Sequence, residues 1–292
     1  DLCRNASEYA RAVTWFARSI VLARRRRDGQ TYARAYRRIG QLLMYKGAYG
    51  DAEDAFGRAF RYARRAGIRE VAAEALHDLF TVAVETGRVA EAEELARRAF
   101  HAYPAAHHRL PALAHDIAVF WMLQGHPARA LPVFQAVRTV VRDRADHLLA
   151  ISNVVRAAGE VGDRETFVGA WVDSWAIIDA APHLECVTSS LLRLAYGSAA
   201  LGDRERVEVA ARYALELATA RGQSQVTEEA GILLAGADVS RVGESGEKDP
   251  AADQLATRLI QRMRSRARQA AGTSPDTGPC LGCWGQLPPP IV

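Results

Sequence analysis

The sequence predicts an all-α protein, a solenoid of antiparallel helix pairs, and three observations carry that prediction. Five glycines recur at near-even intervals: Gly47, Gly87, Gly125, Gly162 and Gly202, spaced by 40, 38, 37 and 40 residues. Eight residues before each stands an apolar residue: Ile39, Leu79, Ile117, Val154 and Leu194. After each glycine, three more offsets repeat: five on (Ala52, Ala92, Ala130, Phe167, Val207), nine on (Phe56, Ala96, Phe134, Trp171, Ala211) and twelve on (Ala59, Ala99, Val137, Ser174, Ala214). Glycine adopts the left-handed conformation that closes a helix at little steric cost. A short polar turn such as Gly202-Asp203-Arg204 follows, and a second helix packs back on the first. Small residues at the crossings let backbones approach while large ones fill the gaps. One pair cannot bury its apolar stripe alone, so several must stack.

The stretch from Ala35 to Ala59, AYRRIGQLLMYKGAYGDAEDAFGRA, resembles a unit of the tetratricopeptide repeat (TPR) family. Tyr36, Ile39, Gly40 and Leu43 match its aromatic, large, small and large positions in the first helix (A). Ala52, Phe56 and Ala59 match the second helix (B), and Tyr49 fits the aromatic of the turn. The resemblance implies a right-handed α-solenoid of antiparallel helix pairs. The period exceeds the roughly 34 residues usual for that family. The added segment FRYARRAGIREVAAEAL reads as a continuation of helix, a long-helix variant similar to the TPR arrays of bacterial regulators.

The elements follow in order. Residues 1–30 read as a partial repeat, because Ala12, Phe16 and Ser19 lie 40 before Ala52, Phe56 and Ala59. Residues 31–222 hold five helix pairs, and residues 223–271 hold a degenerate repeat, with a helix A over 228–239, and a capping helix. The capping helix starts at Asp249-Pro250, an N-cap followed by a first-turn proline. Its stripe of Leu255, Leu259, Ile260 and Met263 is expected to cover the open end of the stack. Residues 272–292, rich in Gly, Pro, Ser and Thr, read as a disordered tail.

Composition narrows the function. The chain of 292 residues is 49% apolar, enough to core one or two domains. No run reaches the roughly 18 apolar residues of a membrane span. Four scattered cysteines make no disulfide framework, so a reducing cytoplasm is expected. The chain opens Asp1-Leu2-Cys3 and is expected to be part of a longer protein. The net charge of +4 is mild and mostly arginine against a near-equal acidic count, which argues against nucleic acid. The run Arg24–Arg27 reads as the charged end of a helix, with nucleic-acid binding through arginine-rich surfaces as the weaker alternative.

No P-loop, GxSxG elbow or GxGxxG motif is present, so no enzyme and no cofactor is expected. Cys280-Leu281-Gly282-Cys283 has half the ligands of a zinc site, and His101, His107, His108 and His115 read as a polar inter-repeat loop, so no metal is expected either. The function expected is a protein- or peptide-binding scaffold; the alternative is the peptide-sensing arm of a larger bacterial regulator. A homo-oligomer is left open. The resemblance implies that ligand-facing side chains project from the A helices. In the first pair these are Arg34, Arg37, Gln41 and Tyr45; in the second, Glu74, His77 and Thr81. The third offers His115, Val119 and Met122; the fourth, Ser152 and Arg156; the fifth, Leu192 and Tyr196. An acidic and partly apolar peptide would suit that set.

Overall fold

A computed structural model describes residues 6–236 and 249–270, and these form thirteen α-helices with no strand. The tail with Cys280 and Cys283, and part of the expected degenerate repeat, lie outside the described residues. The chain divides into two compact units, residues 1–113 and 114–291. Among the described residues no helix is long and apolar enough to cross a membrane.

The N-terminal unit contains α1 (Ala6–Arg26), α2 (Gly29–Tyr45), α3 (Tyr49–Arg65), α4 (Arg69–Glu85) and α5 (Val89–Ala102). Each packs on the next, and α2 also touches α4. The helices α2, α3 and α4 each run 17 residues and begin 20 apart, so the rhythm is helix plus a three-residue turn. The division into units falls inside α6 (Leu110–Leu123). The C-terminal unit continues with α7 (Pro127–Arg138), α8 (Arg144–Val161), α9 (Arg164–Ala180), α10 (Val187–Ala200), α11 (Arg204–Ala220), α12 (Ser224–Leu234) and α13 (Pro250–Ala270). Here again neighbours in sequence pack together from α7 to α12, while α8 meets α10 and α10 meets α12 across one row. This order of packing is that of an α-solenoid. Within the N-terminal unit α2 and α4 form an A row and α1, α3 and α5 a B row; within the C-terminal unit α8, α10 and α12 form an A row and α7, α9 and α11 a B row.

The turns explain why the helices stop where they do. All five recurrent glycines have φ between 69° and 78°. At Gly47 the amide donates to the Met44 carbonyl, and the Ala48 amide reaches back to Leu43. That paired closure repeats at Gly87, Gly162 and Gly202. Gly67 and Gly222 do the same at the ends of α3 and α11. The segment expected to continue as helix after Phe60 is therefore broken at Gly67. At the end of α1 the left-handed slot is filled by Arg27, with φ 54°, and Asp28 reaches back to Ala23 in the same pattern. Asp28, Asp163 and Asp203 then cap the next helix by accepting an amide three residues on.

Small residues set the crossings. A Cβ at Gly40 would lie 2.6 Å from the fully buried Phe56 ring. Between α8 and α10 the approach is closer: a Cβ on Gly159 would overlap the Gly197 carbonyl, and one on Gly197 would lie 2.6 Å from the Val155 oxygen. The α13 stripe is buried through Leu255, Leu259 and Met263. Its main helix partner is α7, with Arg129 bound to Asp253 at 2.8 Å, rather than the open end at α12. An amphipathic stripe demands burial but does not choose the surface.

Candidate functional site

Each A row carries charge, arranged differently in the two units. In the N-terminal unit, Arg37 on α2 is buried and donates through Nε to Asp78 and through Nη1 to Glu74, both on α4. Burial opposes its charge, but Asp78 and Glu74 outweigh that and hold its pKa above the ordinary arginine value. Tyr103 is sealed beside this network, its hydroxyl 3.4 Å from His77 Nδ1. His107 packs on Tyr103 and stacks on His108. Burial, then the neighbouring His108, push the His107 pKa down to about 4, so the ring is neutral.

Glu74, His107 and His108 offer ligand atoms within 4.8 Å of one another, the spacing of a loose metal site. Three features of the chemistry weigh against that use. Arg37 already holds one Glu74 oxygen. His107 Nδ1 accepts the Arg109 amide, which leaves the proton on Nε2, the nitrogen that faces Glu74 at 4.0 Å. The two imidazoles stack at 24°, so their lone pairs run side by side instead of converging. The cluster is better explained as a buried polar network that ties α2, α4 and the segment after α5 together.

In the C-terminal unit the A-row face is built on the Gly159–Gly197 contact. Backbone against backbone, α8 and α10 bring Arg156 over the Tyr196 ring at 5.0 Å. Arg156 Nε donates to Glu160 at 2.8 Å, one helical turn on. Tyr196 donates its hydroxyl to Glu229 on α12 at 3.0 Å. Beneath them lies Arg193, which keeps part of its surface open. Its one hydrogen bond among the described residues goes to Ser189 Oγ at 3.1 Å. Burial first, and then Arg156, push its pKa down to about 10. No carboxylate of the described residues pairs with it directly.

Most residues expected to face a ligand are instead packing residues. Arg37, Gln41, Glu74, His77, Thr81, His115, Met122, Ser152 and Leu192 are all buried. Thr81 and Ser152 bond to their own helix carbonyls, and His115 meets Asn153 Nδ2 at 3.0 Å. Arg34 and Tyr45 are exposed on α2, apart from the network. Val119, Arg156 and Tyr196 retain accessible surface, and only Arg156 and Tyr196 are brought into contact. The reading of the sequence passed over Arg193 and Glu229. The signal for Arg193 is a single charge in the apolar run Leu191-Leu192-Arg193-Leu194-Ala195. Such a charge costs free energy unless it is paired.

The B row presents a different surface. Between α9 and α11 a cavity of about 430 Å³ is lined by Trp171, Trp175, Asp203, Glu205, Arg206 and Val209. Trp175 stacks on Tyr213 at 13°, and Val172 is 61% exposed. Its cation is already engaged, since Arg206 binds Asp203 and lies over Trp171. Cys186, the free cysteine of the described residues, is buried, and burial pushes its thiol up to about 11, so it is no nucleophile.

Compared with known proteins, the chain matches no family model, and no curated protein matches it in sequence.

Proposed function

We propose that the protein is a non-catalytic, cytoplasmic, TPR-like scaffold that binds a peptide segment of a partner protein. The ligand lies along the A-row face of the C-terminal unit, over α8, α10 and α12. The observation that carries this reading is the surface around Arg156, Arg193 and Tyr196, where charged and aromatic groups remain accessible on rigid helices. Tyr196 and Arg156 supply a stacked pair that can grip an extended backbone at low entropic cost. Among the described residues, those that combine acid, base and nucleophile in an active site do not come together on this face.

Selection of a displayed peptide library on the intact chain tests the reading. Selected peptides should lose binding at least about tenfold to Arg156→Ala with Tyr196→Ala. They should keep it in Val209→Glu, which alters the aromatic cavity between α9 and α11. If Val209→Glu alone removes binding, the B row is the receptor and the proposal fails.

A further inference from the structure

Arg193 poses a physical problem that Arg37, also in an A row, does not share. A guanidinium set among packed helices loses water, and proteins compensate with a carboxylate or a dense set of acceptors. Arg37 has that compensation in Glu74 and Asp78. Arg193 has Ser189 Oγ. The carboxylates near it are occupied: Glu160 holds Arg156, and Glu229 holds the Tyr196 hydroxyl. A second cation, Arg156, stands close enough to disfavour its charge. The guanidinium is partly exposed, held by Ser189, and has no carboxylate partner among the described residues.

We infer that Arg193, flanked by Arg156 and Ser189, receives the side-chain carboxylate of a glutamate or aspartate in the bound segment. The inference rests on the A-row reading above and names what that face selects. A guanidinium offers a fork of N–H donors that matches both oxygens of a carboxylate. Ser189 Oγ accepts one Nη1–H at 3.1 Å while its own proton goes to the Cys186 carbonyl, so it orients the fork and leaves the incoming carboxylate to the guanidinium. Glu160 and Glu229 stand nearby, and a dianionic phosphate would set two charges against them where a carboxylate sets one, so a monoanion is repelled less. Arg156 is a positioning residue, because its own bond to Glu160 and its place over Tyr196 fix the rim of the recess.

The probe is N-acetyl-glutamate amide, which carries one side-chain carboxylate and no terminal charge, titrated into the full chain labelled at arginine Nε. One Nε–H resonance, identified by its loss in Arg193→Lys, should shift saturably. N-acetyl-glutamine amide and sodium chloride at equal ionic strength should leave it in place. Arg193→Met, checked for an unchanged circular dichroism melt, should abolish the saturable shift that the probe also causes at the Arg156 Nε–H resonance. Arg193→Lys, which keeps charge but not the fork, should weaken binding about tenfold, read from the Arg156 Nε–H resonance. A phosphoserine amide that binds more tightly than the glutamate probe would overturn the monoanion assignment. Equal shifts with the glutamate and glutamine probes, or none with either, would overturn the site. The peptide selection separates the two levels. Selected peptides without an acidic residue, yet sensitive to Arg156→Ala with Tyr196→Ala, leave the A-row reading intact and defeat this inference alone. Probe binding at Arg193 with no peptides selected does the reverse.

Discussion

Arg37 in the N-terminal unit and Arg193 in the C-terminal unit each stand in an A row, and both are enclosed by helices. Around Arg37 the protein supplies two carboxylates from the adjacent α4, and the cluster is closed by Tyr103 and His107. Around Arg193 it supplies one hydroxyl and a second arginine. The same residue type in an A row therefore serves opposite ends. One arginine is internal mortar between helices, and the other is a charge that remains to be matched from outside. Pairing, more than burial or residue type, separates a structural arginine from a receiving one.

The largest test of that contrast removes one charge from each site. Asp78→Ala strands Arg37 beside a single remaining carboxylate and should destabilise the N-terminal unit by about 3–5 kcal/mol. Arg193→Met removes a charge that nothing pairs and should leave urea stability of the C-terminal unit unchanged or raise it by about 1 kcal/mol. Equal losses in urea denaturation would mean that Arg193 is as structural as Arg37, and the contrast would collapse.

Acid should sharpen the picture of the N-terminal network. His107 titrates at about 4 in the folded protein, against an ordinary value near 6.5. A depressed histidine contributes its full stability above the unfolded value, and loses it as pH falls toward the folded one. Between pH 6.5 and 4 the unfolded chain takes the proton first, so stability should drain by about 2–3 kcal/mol through this group. His107→Gln should show a correspondingly shallower decline over the same window, read as the difference between the two urea midpoints. Parallel declines would remove His107 from the acid-sensitive set.

The contact beneath the receiving arginine is next in size. Gly197→Ala places a methyl against the α8 backbone, which cannot yield as a flexible side chain would, and should cost about 1–3 kcal/mol. Gly169→Ala on α9 meets nothing within 4 Å and should gain about 0.5–1 kcal/mol from helix propensity. Gly197→Ala should also weaken the response of Arg193 to the glutamate probe, since it moves α8 and its Arg156 away from Arg193 and Tyr196 on α10. A variant that loses stability but keeps probe affinity would uncouple the helix contact from the site.

How much of this was legible in the sequence follows from range. Glycines that close helices act within six residues, so the rhythm of Gly47 to Gly202 could be read directly. Gly67 and Gly222 play the same part, but Gly67 lies in Arg65-Ala66-Gly67-Ile68, a turn without the aspartate that marks Gly162 and Gly202. The beat of 40 was visible and the finer beat of 20 was not. Arg156 and Tyr196 could be placed on the A row by offset alone. That Arg37 is neutralised could not, because Asp78 is 41 residues away and its pairing depends on how α2 meets α4. For α13, the stripe of Leu255, Leu259 and Met263 was readable, whereas its choice of α7 depends on which surface the unit leaves open.

The smallest prediction concerns an arginine whose side chain is irrelevant, and it calibrates the others. Arg27 occupies the left-handed slot that glycine fills after α2, α3 and α4. A side chain there costs about 1–2 kcal/mol, while glycine in its place adds backbone freedom to the unfolded chain worth roughly half of that. Arg27→Gly should therefore stabilise the N-terminal unit by about 0.5–1 kcal/mol, seen as a higher urea midpoint at unchanged slope. The response of Arg193 to the glutamate probe should not move. A change in that response would show that Arg27 acts through its charge, and the distinction between backbone, mortar and receiving arginines would have to be redrawn.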